Sequence, residues 1–330
     1  MTSVGLPDAL FLGSLHRTST RLRTELSRAS AEMVSGERQD LSRTLGARAG
    51  ELALVNKALG DVDASASRMA LAQNRLRLAG DAVGTVREMI DGYGARALTD
   101  VTLGGAAGLI ETSNTARALL SQTVTTLNVQ HGGRTLFAGD ATDGRALADA
   151  GAILDSVRAE LTGAADAAEL DARLTAFFAE GGGFDTQVYM GGTGSAGGVA
   201  LSDGSVVPFA ARADSQAVRN TIEGLVRLAL GPELGEGGVE WTRAAAGKLE
   251  AAGQGLVAEA AANGLAANRL DAEAEAKAAE RLVLTATRES LAGRDAFEAA
   301  AEVQRLEAQL EAAYTVTARL SRLSFTDYMR

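Results

Sequence analysis

The fold of this chain is decided at its two ends, by residues 8–33 (DALFLGSLHRTSTRLRTELSRASAEM) and residues 296–324 (AFEAAAEVQRLEAQLEAAYTVTARLSRLS). In both stretches, apolar or small residues recur at alternating steps of three and four. This spacing places them along one line of a helix, as in the seam of a coiled coil. A seam on a terminal helix needs a partner helix to exclude water. The two ends are therefore each other's candidates, followed by further copies of the chain, and the pattern favours assembly over catalysis.

We predict an assembly seam made by the larger apolar side chains of these stretches. Its members are Leu12, Leu15, Leu22, Leu26 and Met33 near the N-terminus, and Val303, Leu306, Leu310, Leu320 and Leu323 near the C-terminus. Most other seam positions hold Ala, Ser or Thr, so the apolar area that one pair of terminal helices can bury is small. Small residues also allow helices to approach closely.

The composition excludes several classes of protein. The 330 residues carry a net charge of −10, which disfavours nucleic-acid binding because that depends on neutralising phosphates with Lys and Arg. No apolar run reaches the roughly 18 to 20 residues of a membrane-spanning helix. The N-terminus has no basic residue before its short apolar stretch, so we do not expect a cleaved signal peptide. The absence of cysteine excludes disulfides and thiolate chemistry.

The periodicity predicts a mainly α fold, with a long antiparallel helical stalk (coiled coil or bundle) formed by the N- and C-terminal segments and a small central α+β insert domain. Five segments follow from it. They are an N-terminal assembly helix and turn (1–44), a long helical hairpin of the stalk (45–135), the central insert (136–238), a return helix of the stalk (239–293) and the C-terminal assembly helix (294–330).

Within these segments we predict the following elements. The stalk hairpin has a helix from Leu45 to Tyr93, a loop from Thr99 to Gly105, and a second helix that ends at Gly132-Gly133. The insert has helices around 146–161, 168–178 and 215–230, and strand-like stretches at 184–190 and 199–209. Asp203-Gly204 has the composition of a two-residue hairpin turn.

Chemical motifs are few in this sequence. Gly192-Thr-Gly194-Ser-Ala-Gly197 matches the G-x-G-x-x-G pattern of dinucleotide sites, but such a site needs a helix to begin at the loop. A strand is predicted here instead, so we interpret the motif as a hairpin connection. His16 and His131 lack metal-ligand spacing. We therefore predict no catalytic residues, no metal and no cofactor, and an enzyme is the least favoured class.

Three stretches resemble the bacterial flagellin superfamily and, within it, the hook-associated junction proteins. They are the turn at 31–38 (AEMVSGER), the segment 127–140 (LNVQHGGRTLFAGD) and the closing helix from Arg294 to Tyr328. The second is similar to the signature Asn…Gly-Arg-Tyr-Leu-Phe-[Ser/Ala]-Gly, which separates junction proteins from filament flagellins. Its residues here are Asn128, Gly133, Arg134, Leu136, Phe137 and Gly139. The sequence departs from the family in Thr135, where an aromatic residue is usual, and in having a single Asp40 where two Asp are usual.

The resemblance implies a non-enzymatic component of the bacterial flagellum that forms the junction between hook and filament by helix–helix assembly. It implies secretion through the flagellar type III apparatus without a cleaved signal peptide, and an extracellular location. The implied partners are copies of the chain in a ring, the preceding hook-associated protein, flagellin, and an export chaperone at the C-terminal segment, with no nucleic acid and no membrane insertion. Two alternatives are a filament flagellin, which shares the terminal helices, and a cytoplasmic helical scaffold protein.

Overall fold

The computed structural model describes the backbone of residues 6–41, 46–233 and 238–328, and the side chains of residues 13–41, 46, 48–233 and 238–319. The fold is mainly α, as the periodicity predicts. The chain divides into two compact units. We call residues 1–64 with 278–330 the terminal unit, and residues 65–277 the central unit.

Long helices account for most of the described chain. They are α1 (Leu6–Ser35), α2 (Ala49–Ile90), α3 (Tyr93–Leu127), α4 (Ala150–Leu161), α5 (Ala167–Phe178), α6 (Gln216–Leu230), α7 (Gly238–Ala292) and α8 (Ala296–Tyr328). A 3-10 turn at Gly46–Arg48 precedes α2, and a π-helical turn at Phe184–Val188 follows α5. No helix in these ranges combines the length and the apolar character needed to cross a membrane.

Two small antiparallel hairpins lie in the central unit. Strand β1 (Gln130–His131) pairs with β2 (Arg134–Thr135), and β3 (Ala196–Ala200) pairs with β4 (Val206–Phe209). The second hairpin lies at the predicted place and packs on the long helices, where buried Val207 joins Met69, Leu76 and Leu270. Its turn differs from the prediction: Gly204, with φ of 82°, donates its N–H to the Leu201 carbonyl at 3.2 Å. The turn therefore has three residues, the type that places glycine in the left-handed region.

In the terminal unit, α1 and α8 run antiparallel. Arg23 Nε donates to the Tyr314 hydroxyl at 2.6 Å. At the other end, Arg294 N–H donates to the Gly36 carbonyl at 2.9 Å. Gly36 has a φ of 70° and donates its N–H to the Glu32 carbonyl, which is the usual glycine ending of a helix. The predicted turn after Met33 is confirmed.

The core of the central unit lies among α2, α3, α6 and α7. Helix α6 is buried along most of its length, because it packs in one core with residues of α2, α3 and α7. At its C-terminal end, the carbonyl of Ala229 accepts from Ser113 Oγ at 2.6 Å and Arg117 Nη2 at 2.9 Å. These side chains of α3 satisfy a helix end that has no backbone partner.

The predicted loop at Thr99–Gly105 is shorter than expected. Residues 99–104 are helical, and the chain turns at Gly105, which has a φ of 55° and a ψ of −133° and divides α3 into two helical parts. These two parts pack against each other, because the hydroxyl of Tyr93 donates to the Thr112 carbonyl at 2.8 Å. The hydroxyl of Thr99 donates to the Ala95 carbonyl at 3.0 Å, and that of Thr102 donates to the Leu98 carbonyl at 2.6 Å. Both threonines are thus satisfied one turn back inside the helix.

Two other predicted elements are also wrong. Gly132-Gly133 does not end a helix, because α3 stops at Leu127 and the two glycines, with φ of 59° and 76°, form the turn between β1 and β2. Two consecutive positive φ values are what a tight two-residue hairpin requires. Residues 184–190 do not form a strand: Phe184 and Val188 are both fully buried on one side of a single π-helical turn.

A network of buried charges links α6 to its neighbours. The side chain of Arg227 is 1% exposed and pairs with Glu223, itself 2% exposed, at 2.9 Å. Arg227 also reaches Asp171 at 2.6 Å, and Glu223 reaches Lys248 at 2.8 Å. The guanidinium lies 4.8 Å from the centre of the Trp241 ring. Each buried charge therefore has a partner, as burial in a low dielectric requires.

We predict that Arg227→Met lowers the free energy of unfolding of the central unit by about 3 kcal/mol or more, because Glu223 then stays buried with Lys248 alone. Urea unfolding followed by Trp241 fluorescence measures this, since Trp241 is the only tryptophan. The control is Arg243→Ala, which removes an exposed pair with Glu240 and should cost less than about 1 kcal/mol. Equal losses in the two variants would contradict the role of the buried network.

The carboxyl group of Glu259 makes the stability of the central unit depend on pH. Burial raises its pKa above the ordinary value of 4.5, against a weaker opposing effect of the hydrogen bond to Ser215. The folded chain therefore holds this proton more tightly than the unfolded chain. Its stabilising contribution is complete below the unfolded pKa and is lost as pH rises through the folded pKa.

We accordingly expect Glu259→Gln to remove a decline in the free energy of unfolding that the parent chain shows as pH rises from about 4.5. Urea titrations at a series of pH values, followed by Trp241 fluorescence, measure the decline. The control Glu250→Gln replaces an exposed carboxylate of the same helix and should leave the profile unchanged. A Glu259→Gln profile parallel to that of the parent chain would refute the assignment.

Candidate functional site

The predicted assembly seam lies on α1 and α8 in the terminal unit. Four of its members meet: Val303 (8% exposed) and Leu306 (1%) pack with half-buried Leu22 and Leu26 around Ala29. Leu15 and Leu310 are also half-buried. Met33 is 42% exposed. Leu12, Leu320 and Leu323 lie outside the residues whose side chains are described.

An ion pair that sequence reasoning missed holds the end of α1 to the start of α8. Glu32, adjacent to Met33, is 4% exposed and pairs with Arg294. The same carboxylate accepts from the backbone N–H of Gln39 at 3.0 Å. One side chain thus ties the turn after α1 to the segment before α8. The only sequence feature that points to it is the position of Glu32 inside the stretch 31–38, which resembles the flagellin turn.

Large apolar side chains remain exposed on the terminal unit. Val34 is 84% exposed and Phe297 87% exposed, and Tyr314 and Val316 are each about half exposed. They flank the small cluster around Leu306 on the same two helices. The terminal unit therefore combines two small internal clusters, one around Leu306 and one around Leu52 and Leu291, with exposed apolar side chains.

The signature segment, residues 128–139, begins with Asn128, whose side-chain amide makes hydrogen bonds with backbone groups as a neighbouring strand would. Asn128 Oδ1 accepts from the backbone N–H groups of Ala146 and Leu147 at 2.8 and 2.9 Å, and Asn128 Nδ2 donates to the Leu147 carbonyl at 3.0 Å. The amide is the only neutral side-chain group that can donate and accept side by side in this way. Asn128 therefore fixes residues 146 and 147 against the end of α3.

The middle of the signature segment forms the β1–β2 hairpin. Gly133 supplies a positive φ in its turn, and Arg134 Nε donates to Thr142 Oγ1 at 3.0 Å. Thr135, where the family has an aromatic residue, is fully buried and its hydroxyl donates to the Gly144 carbonyl. The small side chain thus gains a hydrogen bond in place of aromatic packing.

The end of the signature segment meets the loop that contains the G-x-G-x-x-G pattern. Leu136 and Phe137 are buried in the core of the central unit. Gly139 has a φ of 57°, and a Cβ atom there would lie 2.5 Å from the Gly192 carbonyl oxygen and 2.7 Å from that of Gly194. Only glycine fits this position without displacing backbone.

Asp140 binds the same loop from the other side. Its backbone N–H donates to the Gly194 carbonyl at 3.0 Å, and its Oδ1 accepts from Gly194 N–H at 3.1 Å. Tyr189 donates to the Gly192 carbonyl at 2.9 Å. Burial, followed by the nearby Asp214 carboxylate, raises the pKa of Tyr189 to about 12, so this hydroxyl stays protonated. We call the contact between residues 137–140 and 192–194 the clasp.

The clasp does not have the geometry of a dinucleotide site. Strand β3 follows the glycine loop, and no helix begins there. The loop amide of Gly194 is already occupied by Asp140, so it cannot bind a phosphate. The interpretation of the motif as a hairpin connection is wrong in one respect, because the loop joins the π-helical turn to β3 and does not connect two strands. Across the described residues, no group of three or more His, Cys, Asp or Glu side chains is arranged to hold a metal.

We predict that Gly139→Ala lowers the free energy of unfolding of the central unit by at least about 2 kcal/mol, because Ala is strained at this φ and its Cβ meets two carbonyl oxygens. Urea unfolding followed by Trp241 fluorescence measures the loss. The control Gly144→Ala lies in the same region with open space around its Cβ position and no positive φ. If both alanine variants unfold at the same urea concentration as the parent chain, the clasp is not a structural requirement.

A comparison with solved structures finds flagellar proteins that are similar to this chain. No protein-family model and no curated protein matches it. The crystal structure of FlgL from Bacillus cereus is 14% identical with a TM-score of 0.40, and the match covers 74% of this chain and 97% of FlgL. A candidate flagellar hook-associated protein from Vibrio parahaemolyticus is 12% identical with a TM-score of 0.39, over 79% of this chain and 96% of that protein. The chain is thus similar to flagellar hook-associated structures, each matched over nearly its whole length.

Proposed function

We propose that this chain is a non-enzymatic structural component of the bacterial flagellum, a hook-associated protein that forms the junction between hook and filament. The observation that carries the proposal is the terminal helix pair, which joins α1 to α8 through a narrow apolar cluster and leaves large apolar side chains uncovered. The sequence resemblance to junction proteins in the signature segment favours this role over that of a filament flagellin.

The energetics of the terminal helices favour completion by neighbours. Helix α1 has 30 residues and α8 has 33, yet the cluster between their described side chains has only Ala29, Val303 and Leu306 as fully buried members. Full burial of a Val or Leu contributes about 1.5–3 kcal/mol, whereas fixing one backbone residue costs about 1–2 kcal/mol. Covering the exposed faces with helices of adjacent copies would therefore stabilise the pair.

The proposed partners follow from this surface and from the family resemblance. Copies of the chain in a ring, the preceding hook-associated protein and flagellin would cover the exposed side chains near Val34, Phe297 and Tyr314. An export chaperone would cover the C-terminal segment before secretion through the type III apparatus without cleavage. In the assembled flagellum the chain would be extracellular.

Deletion of the chain from its bacterium tests the proposed role directly. Loss of a junction protein leaves hooks without filaments and sheds flagellin into the medium, and expression of the parent chain restores filaments. A filament flagellin would instead leave no flagellin to shed. Normal filaments in the deletion strain would overturn the proposal.

We predict that Leu22→Asp or Leu310→Asp blocks filament formation, because a carboxylate on the seam cannot be desolvated between helices. Electron microscopy of complemented deletion strains measures filaments per cell. The matched control is Leu103→Asp, which places the same charge on a side chain of the central unit that is 83% exposed.

The seam variants should keep the Trp241 fluorescence and urea midpoint of the central unit, since Leu22 and Leu310 belong to the terminal unit. This measurement separates loss of assembly from loss of folding. Wild-type filament numbers in both seam variants, with secreted protein present at parent levels, would show that the seam does not join the subunits.

A further inference from the structure

A shallow groove of about 530 Å³ runs along the surface of α1 in the terminal unit. We call it the α1 groove. It is lined by two arginines and four uncharged residues: Arg23, Arg28, Thr24, Ser27, Ala31 and Gln39. Among the described residues, no carboxylate lines it, and both arginines are exposed to solvent. The α1 groove is therefore a positively charged surface that a group from outside the chain can reach.

The two arginines are only partly satisfied within their own chain. Arg23 donates through Nε to the Tyr314 hydroxyl at 2.6 Å and has no ion pair among the described residues. The donors of its two terminal nitrogens therefore remain available. Arg28 lies 3.9 Å from the carboxylate of Glu32, which is too far for a hydrogen bond, and that carboxylate already pairs with Arg294. The α1 groove thus offers guanidinium donors to a further carboxylate.

Helix α8 carries carboxylates that match these donors. Glu307 and Glu311 are exposed and make no ion pair with any other described residue. They are four residues apart, so they lie on one side of the helix, and neither of them lines the α1 groove of its own chain. Half-buried Glu302 of the same helix differs from them, because it pairs with Arg305 at 2.6 Å. Glu307 and Glu311 are therefore open to contact with another chain.

The two terminal helices carry opposite net charges. Residues 13–35 of α1 have four arginines and two glutamates, whereas residues 296–319 of α8 have four glutamates and two arginines. Two copies of the chain therefore attract each other when α1 of one faces α8 of the other, and they repel each other when like helices meet. Such a charge pattern selects one way of pairing over the others.

We propose that the α1 groove docks a second copy of the chain, with Arg23 and Arg28 binding Glu307 and Glu311 of that copy. A guanidinium binds a carboxylate through parallel hydrogen bonds, which gives the contact a defined geometry. This inference rests on the proposed assembly and adds which helices of two copies meet. The apolar seam supplies the buried area, and the charged contact selects the pairing.

Charge reversal in two separate chains tests the docking. In Arg28→Glu the contact between copies brings negative groups together, and in Glu311→Arg it brings positive groups together. Each full-length variant alone should self-associate about tenfold more weakly than the parent chain, or weaker still, in sedimentation velocity. An equimolar mixture of the two should restore association, because opposite charges then meet at every contact between them. A folding defect in one variant would not be repaired by adding the other.

The matched controls make the same changes of charge at exposed positions of the central unit. They are Arg243→Glu and Glu250→Arg, and both should associate as the parent chain does, alone and in a mixture. A rise in NaCl from about 50 mM to about 500 mM should weaken association of the parent chain, because salt screens an exposed charged contact.

Parent-like association of either site variant alone, no recovery in their mixture, or no association of the parent chain at any concentration would overturn the proposal. Filament loss in strains that carry either site variant, with parent-like self-association in solution, would indicate a different acidic partner and overturn docking of a second copy.

The same variants separate this inference from the proposed function. Recovery in the mixture, for a chain whose deletion leaves normal filaments, would retain the docking and reject the flagellar role. Loss of filaments on deletion, without recovery in the mixture, would retain the flagellar role and reject the docking.

Discussion

The apolar stripe of an amphipathic helix must be shielded from water by packing against another element. The helices of the two units are packed in this way to different extents. In the central unit, α6 packs among long helices of the same unit and is buried along most of its length. In the terminal unit the described side chains between α1 and α8 supply only a small cluster around Leu306. A helix stabilised mainly by packing gains from any neighbour that extends its buried face. Helices α1 and α8 would thus gain stability from a neighbour that covers more of their apolar stripe.

The signature segment shows how a conspicuous motif can act through structure alone. Asn128 replaces backbone partners for residues 146 and 147, and Gly139 allows two carbonyl oxygens to approach. Asp140 then occupies the loop amide that a phosphate would need. Each residue type is required by geometry, and none of these contacts involves a group poised for catalysis. The segment therefore specifies the local shape of the central unit.

Sequence periodicity predicted the long helices and the β3–β4 hairpin, because a stripe of apolar residues records which face is buried. Periodicity could not predict where a single glycine changes the backbone direction. Gly105 turns the chain between the two helical parts of α3, and Gly132-Gly133 form a hairpin turn, because a glycine permits several backbone conformations and its surroundings decide among them. The pair of Glu32 and Arg294 joins residues far apart in sequence, so no local pattern could reveal it. The seam residues themselves could be proposed, but which of them meet depended on the register between α1 and α8.

Buried charges need partners, just as apolar stripes need cover. Buried arginines on α6 each have a carboxylate within the central unit, since an isolated charge is costly in a low dielectric. Arg75 instead lies over the ring of Phe209 and has no carboxylate partner among the described residues. The exposed apolar side chains and the unpaired Nε of Arg75 are both groups that the described part of the chain leaves without a partner.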